Sequence, residues 1–338
     1  MIFSFKKMNE PPKNRKFGLL KCPFALREEV IRNMEFMDAF HFSTLSKRSK
    51  RMVHDAKLPT HSITFYFSWL GDMISVETIT DGKRFAISLS DTSKRDPEIV
   101  DGVKLASLIN EPSEDYRKKL SAHLLFIFPF KETVVFIDRE IEPLTEFFLW
   151  DVRKTFYFVT VGWGSPLFIL SEDLIFILET IKSNRCNLGI KIDGANFKYR
   201  KPLECEQLSA FHSVQWLDTD GILQRNPKMK QLHLEDLYGE QINDLLKQWI
   251  NGQVTDLEYL IGLKRYDYSA DVILDGIVTM DPTITLEQAK EVFSREEVNG
   301  QLMNIQRKVD GQLATVLLDE KECSVVMWNE KRFAELGN

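Results

Sequence analysis

A chain of 338 residues can bury a sizeable core, in one large domain or in two or three modest ones. Its 43% hydrophobic and 28% charged residues, with 24 Phe, exclude a disordered or low-complexity protein. The net charge of −6 is unevenly spread: residues 13–58 hold eleven Lys or Arg against five acids, whereas residues 59–338 carry −13. A basic head on an acidic body suits an acidic partner, whether nucleic acid or protein.

Residues 6–16, with Pro11, Pro12 and five basic residues, read as a disordered leader. Three short helices follow over residues 17–58. Pro23 stands at a helix start, where its missing donor costs nothing, and Leu26, Val30 and Met34 recur on one helical face. Phe36, Met37, Phe40 and Leu45 form a second apolar set, and Met52, Val53 and Ala56 line a third, strongly basic helix. The unit carries more apolar side chains than so small a core can bury, which predicts a partner.

Residues 61–90 change character to β-branched and aromatic runs broken at Gly71-Asp72 and Asp81-Gly82, which predicts a three-stranded meander. The polar stretch Asp91 to Glu98 closes it. Ser113 with Glu114 and Asp115 starts a helix on which Tyr116, Leu120, Leu124 and Ile127 share a face. From about 130 to 275, strands predicted at 133–138, 155–161, 187–193, 213–218, 231–236 and 257–263 alternate with helices at 172–182 and 240–250, the second stopped by Asn251-Gly252. Strand–helix units with short connections predict parallel pairing in a stacked, leucine-rich-repeat-like layer. Strand ends at Asp193, Asp218 and Asp236 are unevenly spaced, so the layer is read as repeat-like and irregular. A second meander over 302–309, 312–318 and 324–328 ends the chain. The fold class is therefore α+β: a three-helix head, then the irregular layer flanked by antiparallel meanders.

The four cysteines (Cys22, Cys186, Cys205, Cys323) lie far apart without a CxxC pair, which points to a reducing compartment and away from a zinc module. Ile2 to Phe5 is too short for a signal peptide, and Leu124 to Phe130 contains a proline and is too short for a membrane span. The expectation is cytoplasmic or nuclear localisation, or both.

Residues 17–57 resemble the F-box in the form common among nematode F-box proteins. The resemblance rests on Phe17, Leu20, Pro23-Phe24, Val30-Ile31, Asn33-Met34, Phe40 and the Ser46-Lys47-Arg48 run with Lys50. It departs from the family's pattern at Cys22, Arg27, Phe36 and Ala39. Residues 231–260 (Leu232, Leu234, Ile242-Asn243, Leu246-Lys247, Trp249, Gly252, Leu257-Glu258, Leu260) are similar to the F-box-associated region of the same proteins. Arg307, Asp310-Gly311, Ala314-Thr315 and Trp328 resemble its closing segment. The divisions that follow are a leader at 1–16, an F-box at 17–58, a meander and connector at 59–112, and an F-box-associated, substrate-binding domain at 113–338.

The resemblance implies docking on the Skp adaptor through Leu20, Pro23, Leu26, Val30, Ile31, Met34, Phe36 and Phe40. Through the adaptor the chain would reach a cullin scaffold and its RING subunit. The role implied is that of a non-catalytic substrate receptor in a Skp–cullin–F-box ubiquitin ligase, holding an unidentified target protein, with no cofactor and no membrane or nucleic-acid partner. The alternative is a protein-binding module that acts without degradation.

Other motifs have ordinary structural readings beside their functional ones. Lys47 to Arg51 reads as the solvated face of the third helix, with a nuclear-import or nucleic-acid patch as the alternative. Val214 to Leu223 contains D-x-D-G, the arrangement in which haloacid-dehalogenase-type phosphatases present a nucleophilic Asp (here Asp218) and an acid/base (Asp220) beside Mg²⁺. Ile222 stands where Thr is usual and no later metal-ligand segment follows, so an Asp/Gly turn is the plainer reading. The six histidines show no metal-ligand spacing. Gly162 to Pro166 reads as a turn, and Trp163, Trp216 and Trp249 as core.

Overall fold

Three short helices open the described chain: α1 (Phe24–Arg32), α2 (Phe36–Thr44) and α3 (Lys47–Ala56). The computed structural model describes residues 18–78, 84–89, 104–107, 113–192, 197–265, 269–330, 332 and 334. The expected leader, the Asp81-Gly82 turn, the 91–98 stretch and Asp193 lie outside the described residues. Pro23 occupies the N-cap of α1. A capping box starts α3: Ser46 Oγ accepts the Ser49 N–H at 3.0 Å and Ser49 Oγ accepts the Ser46 N–H at 2.9 Å. Lys57, in the left-handed region at φ 49°, ends the helix.

The chain divides into two compact units. One comprises the chain up to Thr60 together with His123–Pro129, the last turn of α4 (Glu114–Ile127) and the two residues after it. Its core holds Ile31, Ala39, Val53 and Ala56, all fully buried. Arg32 Nε donates to the Ala56 carbonyl at 2.9 Å and ties α1 to α3. The 123–129 segment adds aromatic contacts. The Phe36 and Phe128 rings lie 5.6 Å apart, and His54 stacks on Phe126 at 4.6 Å while its Nδ1 lies 2.7 Å from the Phe126 carbonyl. Lys50 Nζ sits 4.7 Å from the Phe126 ring centroid.

The other unit is built on one continuous sheet. Its strands are β1 (Thr60–Ser68), β2 (Gly71–Thr78), β3 (Arg84–Ser88), β4 (Lys104–Ser107), β5 (Glu132–Asp138), β6 (Thr155–Val161), β7 (Leu167–Ile169), β8 (Lys182–Ile192), β9 (Gln207–Phe211), β10 (Gln231–Leu237), β11 (Tyr259–Lys264), β12 (Gln301–Gln306), β13 (Leu313–Leu318) and β14 (Glu322–Met327). The order is β12-β13-β14-β11-β10-β9-β8-β6-β5-β1-β2-β3-β4, with β7 pairing β8 off this path. The middle is parallel throughout, from β1 to β11. The strands β11 to β14 pair antiparallel, as do β2 and β3. The stretches expected as separate, 59–112 and 113–338, thus share one sheet, because β1 pairs directly with β5.

One row of the parallel ladder runs Val134, Phe158, Arg185, Gln207, Gln231, Tyr259, in steps of 22 to 28 residues. This is more regular than the sequence suggests, because the strand lies earlier in the chain than the apolar pattern indicates. The apolar run at 213–218 is a loop with a single bridge from Leu217 to Tyr199, and the strand is β9, immediately before it. Val214, Trp216 and Leu217 are buried without joining the ladder, and His212 at φ 68° turns the chain out of β9. Burial, not strand pairing, accounts for the apolar pattern there.

Short helices fill the connections: α5 (Phe148–Val152), α6 (Ser171–Thr180), α7 (Ile222–Arg225) and α8 (Gly239–Ile250). In α8, Ile242, Leu245, Leu246 and Trp249 are buried, as their spacing predicts. Buried Asn243 and Gln248 satisfy neighbouring backbone: Asn243 Nδ2 donates to the Ile273 carbonyl at 2.7 Å, and Gln248 Nε2 to the Thr219 carbonyl at 3.1 Å. The remaining helices, α9 (Ala270–Ile273) and α10 (Leu286–Val292), follow β11. Ala289 of α10, with Ile284 and Phe293, packs on Leu317, Val326 and Trp328.

Two features of this unit are expected to be intolerant of change. Gly162 (φ 71°) and Gly189 meet backbone to backbone; a Cβ on Gly189 would lie 1.8 Å from the Gly162 carbonyl oxygen. Gly189→Ala is therefore expected to destabilise the chain by about 2–4 kcal/mol, read as a lowered thermal midpoint. Buried Arg307 donates to Asp310 through Nε at 2.9 Å and to the Val254 carbonyl at 3.0 Å, with its guanidinium 5.6 Å from the Trp249 ring. Lysine cannot reproduce that fork, so Arg307→Lys is expected to cost about 1–3 kcal/mol in chemical denaturation.

Candidate docking site

The outer face of α1 presents apolar side chains to solvent. Phe24 and Leu26 are 58% and 48% exposed, Pro23 is exposed beside them, and Leu45 beyond α2 is 75% exposed. Val30 and Met34 are half-buried and continue the Leu26 face at helical spacing. Four of the eight residues expected at a docking surface, Pro23, Leu26, Val30 and Met34, thus share one accessible face.

The other four differ. Ile31 is fully buried, so it holds the unit together and is not part of its surface. Phe36 and Phe40 are half-buried and already have neighbours in the 123–129 segment: Phe128 for Phe36, and His123, edge-on at 5.9 Å, for Phe40. Leu20 lies in the 3₁₀ turn Leu19–Lys21, and its side chain is outside the described part of the structure. Sequence reasoning did not mark Phe24 and Leu45 as exposed. It also missed the 123–129 segment, because a contact spanning 80 residues has no local signature.

Ala39 is fully buried where a leucine was expected, so the change acts on packing. Arg27 lays its guanidinium 5.8 Å from the Phe24 ring and is partly covered. Cys22 is half-buried, with its thiol 3.8 Å from the Gly18 carbonyl.

His123 Nε2 lies 2.6 Å from Ser43 Oγ, and the Ser43 hydroxyl also donates to the Phe40 carbonyl at 2.6 Å. Burial, and then the charge of Lys50, pull the His123 imidazole from its ordinary 6.5 down to about 4. It is therefore neutral at physiological pH. In α3, Lys50 is spent on the Phe126 ring, while Lys47 and Arg51 stay in solvent, so the basic run is only partly a solvated face.

The family model for the F-box domain matches residues 19–61. This segment is an F-box. The F-box coincides with α1 to α3, and a protein-binding adaptor role follows from it; F-box domains typically bind the Skp adaptor. An uncharacterized protein of Caenorhabditis elegans is 20% identical over an alignment covering 90% of this chain and 76% of that protein. The similarity extends well beyond the F-box into the sheet. No solved structure matches the chain.

Beyond the F-box, the residues that carry the second resemblance are mostly packing residues. Leu232, Leu234, Ile242, Leu246, Trp249, Leu257 and Leu260 are buried across β10, α8 and β11. Trp216 and Trp249 are core as expected, whereas Trp163 is exposed in the Gly162–Pro166 turn. The phosphatase arrangement is not formed. Asp218 follows a loop, not a strand; its carboxylate takes Arg200 Nε at 2.8 Å and the Asp220 N–H at 3.1 Å, as in an Asx turn. Among the described residues no group of three or more His, Cys, Asp or Glu could hold a metal ion, and no helix is long and apolar enough to cross a membrane.

The F-box unit should be acid-sensitive through His123. The folded form refuses a proton that the unfolded chain accepts, so the stability from this residue is complete above pH 6.5 and is lost as pH falls toward about 4. In thermal melts between pH 7.5 and 4, the difference between wild type and His123→Gln is expected to shrink over that window. A difference independent of pH would refute the assignment.

Proposed function

We propose that this protein is the substrate-recognition subunit of a Skp–cullin–F-box ubiquitin ligase. The observation that carries the reading is an F-box whose first helix leaves Pro23, Phe24 and Leu26 in solvent. Burial of such a row on a partner stabilises by roughly 25 cal/mol per Å² of apolar area, and the exposed residues are too bulky to be left uncovered without reason. Pro23, Phe24, Leu26, Val30 and Met34 form the contact with the Skp adaptor, with Leu20 leading into them. The second unit holds the target protein, and the chain itself performs no chemistry.

Its contribution is proximity. With the target on one unit and the adaptor, cullin and RING subunit on the other, the encounter between a target lysine and a charged conjugating enzyme becomes effectively intramolecular. Cytoplasmic or nuclear localisation is part of the proposal.

Co-purification tests it. Wild-type chain is expected to retain the Skp adaptor and, through it, the cullin. Leu26→Asp, at an exposed position that leaves the fold intact, is expected to weaken adaptor binding thirtyfold or more, as for a hot spot of about 2 kcal/mol. An adaptor that binds both forms equally would refute the contact surface. Retention of the adaptor without cullin would point to an F-box module acting outside degradation.

A further inference from the structure

Five large apolar side chains, Trp69, Leu70, Trp163, Phe168 and Leu170, are between 54% and 83% exposed. They lie in the second unit, on or just after β1, β6 and β7. The ladder sets Ser68 of β1 against Asp138 of β5, so Trp69 and Leu70 turn out just beyond that pair. Asp138 Oδ1 also accepts the backbone N–H groups of Trp163 at 2.9 Å and Gly164 at 3.1 Å, which fixes the turn after β6 at the same rim. Phe168 is on β7 and Leu170 follows it. Exposure of this many bulky groups along one edge marks an interaction surface.

Phe168 lines two cavities. The first, of about 140 Å³, is walled by Ile137, Val161 and Leu167 with Glu140 and Glu142; the second, of about 280 Å³, by Ile190, Phe197 and Trp216. Charge then selects what fits. Glu140, Glu142 and Glu172 have no ion-pair partner among the described residues. Arg139, which also lines the first cavity, shares buried Asp72 with Arg117, bonding it twice at 3.0 Å, so one positive charge is left against three carboxylates. Lys191 stands at the second cavity, 5.7 Å from the Phe168 ring. Nucleic acid or an anionic lipid surface would be repelled here, and a second copy of the chain would set like charges against each other.

We infer that this rim is the target-binding surface, and that its occupant is a segment of the target protein carrying Lys or Arg beside two bulky apolar side chains, one for each cavity. The inference rests on the receptor reading above and adds to it the site and the class of target. The apolar anchors supply most of the binding free energy, and the carboxylates supply orientation and selectivity.

The test is to pan a phage library of random dodecapeptides on the full chain co-purified with the Skp adaptor, then measure selected peptides by fluorescence anisotropy. Enriched peptides are expected to combine basic residues with two bulky apolar ones, and to bind more weakly as salt rises. Phe168→Ser, and separately the double change Glu140→Lys with Glu142→Lys, are each expected to weaken them at least tenfold with adaptor retention and thermal midpoint unchanged. No enrichment, enrichment of acidic or wholly polar peptides, or equal binding to the variants would overturn the proposal. So would concentration-dependent self-association abolished by Phe168→Ser, since that would assign the rim to a second copy. Loss of peptide binding with the adaptor retained bears on this surface alone. Peptide binding to a chain that fails to hold the adaptor would support the surface and sink the receptor reading.

Discussion

The parallel ladder from β1 to β11 is the constraint on which the second unit depends. Each interior strand must have both edges hydrogen-bonded, because an unpaired backbone group buried away from water is expensive. A parallel neighbour is reachable only through a long crossover, so each step consumes 22 to 28 residues along the Val134–Tyr259 row. Those residues become the short helices and loops of the connections. The antiparallel β12–β14 meander closes one end, with Arg307 bonded to the carbonyl of Val254 in the loop between α8 and β11.

The same constraint makes the rim. Parallel strands all end on one side, so their following turns collect there. The turns after β1 and β6 carry tryptophans, and β7, pairing only with β8 in this sheet, presents Phe168 outward. Bringing these groups to one side of the sheet is a property of the strand order, since Trp69 and Trp163 are far apart in the chain.

The F-box unit meets a different limit. Its three helices bury Ile31, Ala39, Val53 and Ala56, a small core. The 123–129 segment extends it by packing Phe126, Phe128 and His123 against α2 and α3. This occupies the aromatic face of α2 and leaves Pro23, Phe24 and Leu26 at the start of α1 exposed. The proposed docking surface is what remains after the unit has satisfied its own interior.

Local physics made much of this readable in advance. The Pro23 start, the Ser46 cap, the α8 stripe and its stop at Gly252, and strands such as Thr155–Val161 depend on neighbours within a few residues, so spacing and residue type determine them. The F-box, as a run of short amphipathic helices with characteristic positions, is legible for the same reason. What the sequence left open was which apolar side chains are covered, and by what. The run at 213–218 looks like a strand because Val214, Trp216 and Leu217 are buried, yet β9 takes the ladder. Ile31 and Val30 are adjacent and chemically alike, and only packing sends one inside and leaves the other half-exposed. Trp163 resembles Trp216 and Trp249 in type alone; the tertiary fold sets it in the turn after β6, where Phe211 meets it edge-on at 5.9 Å and the rest of the ring faces solvent.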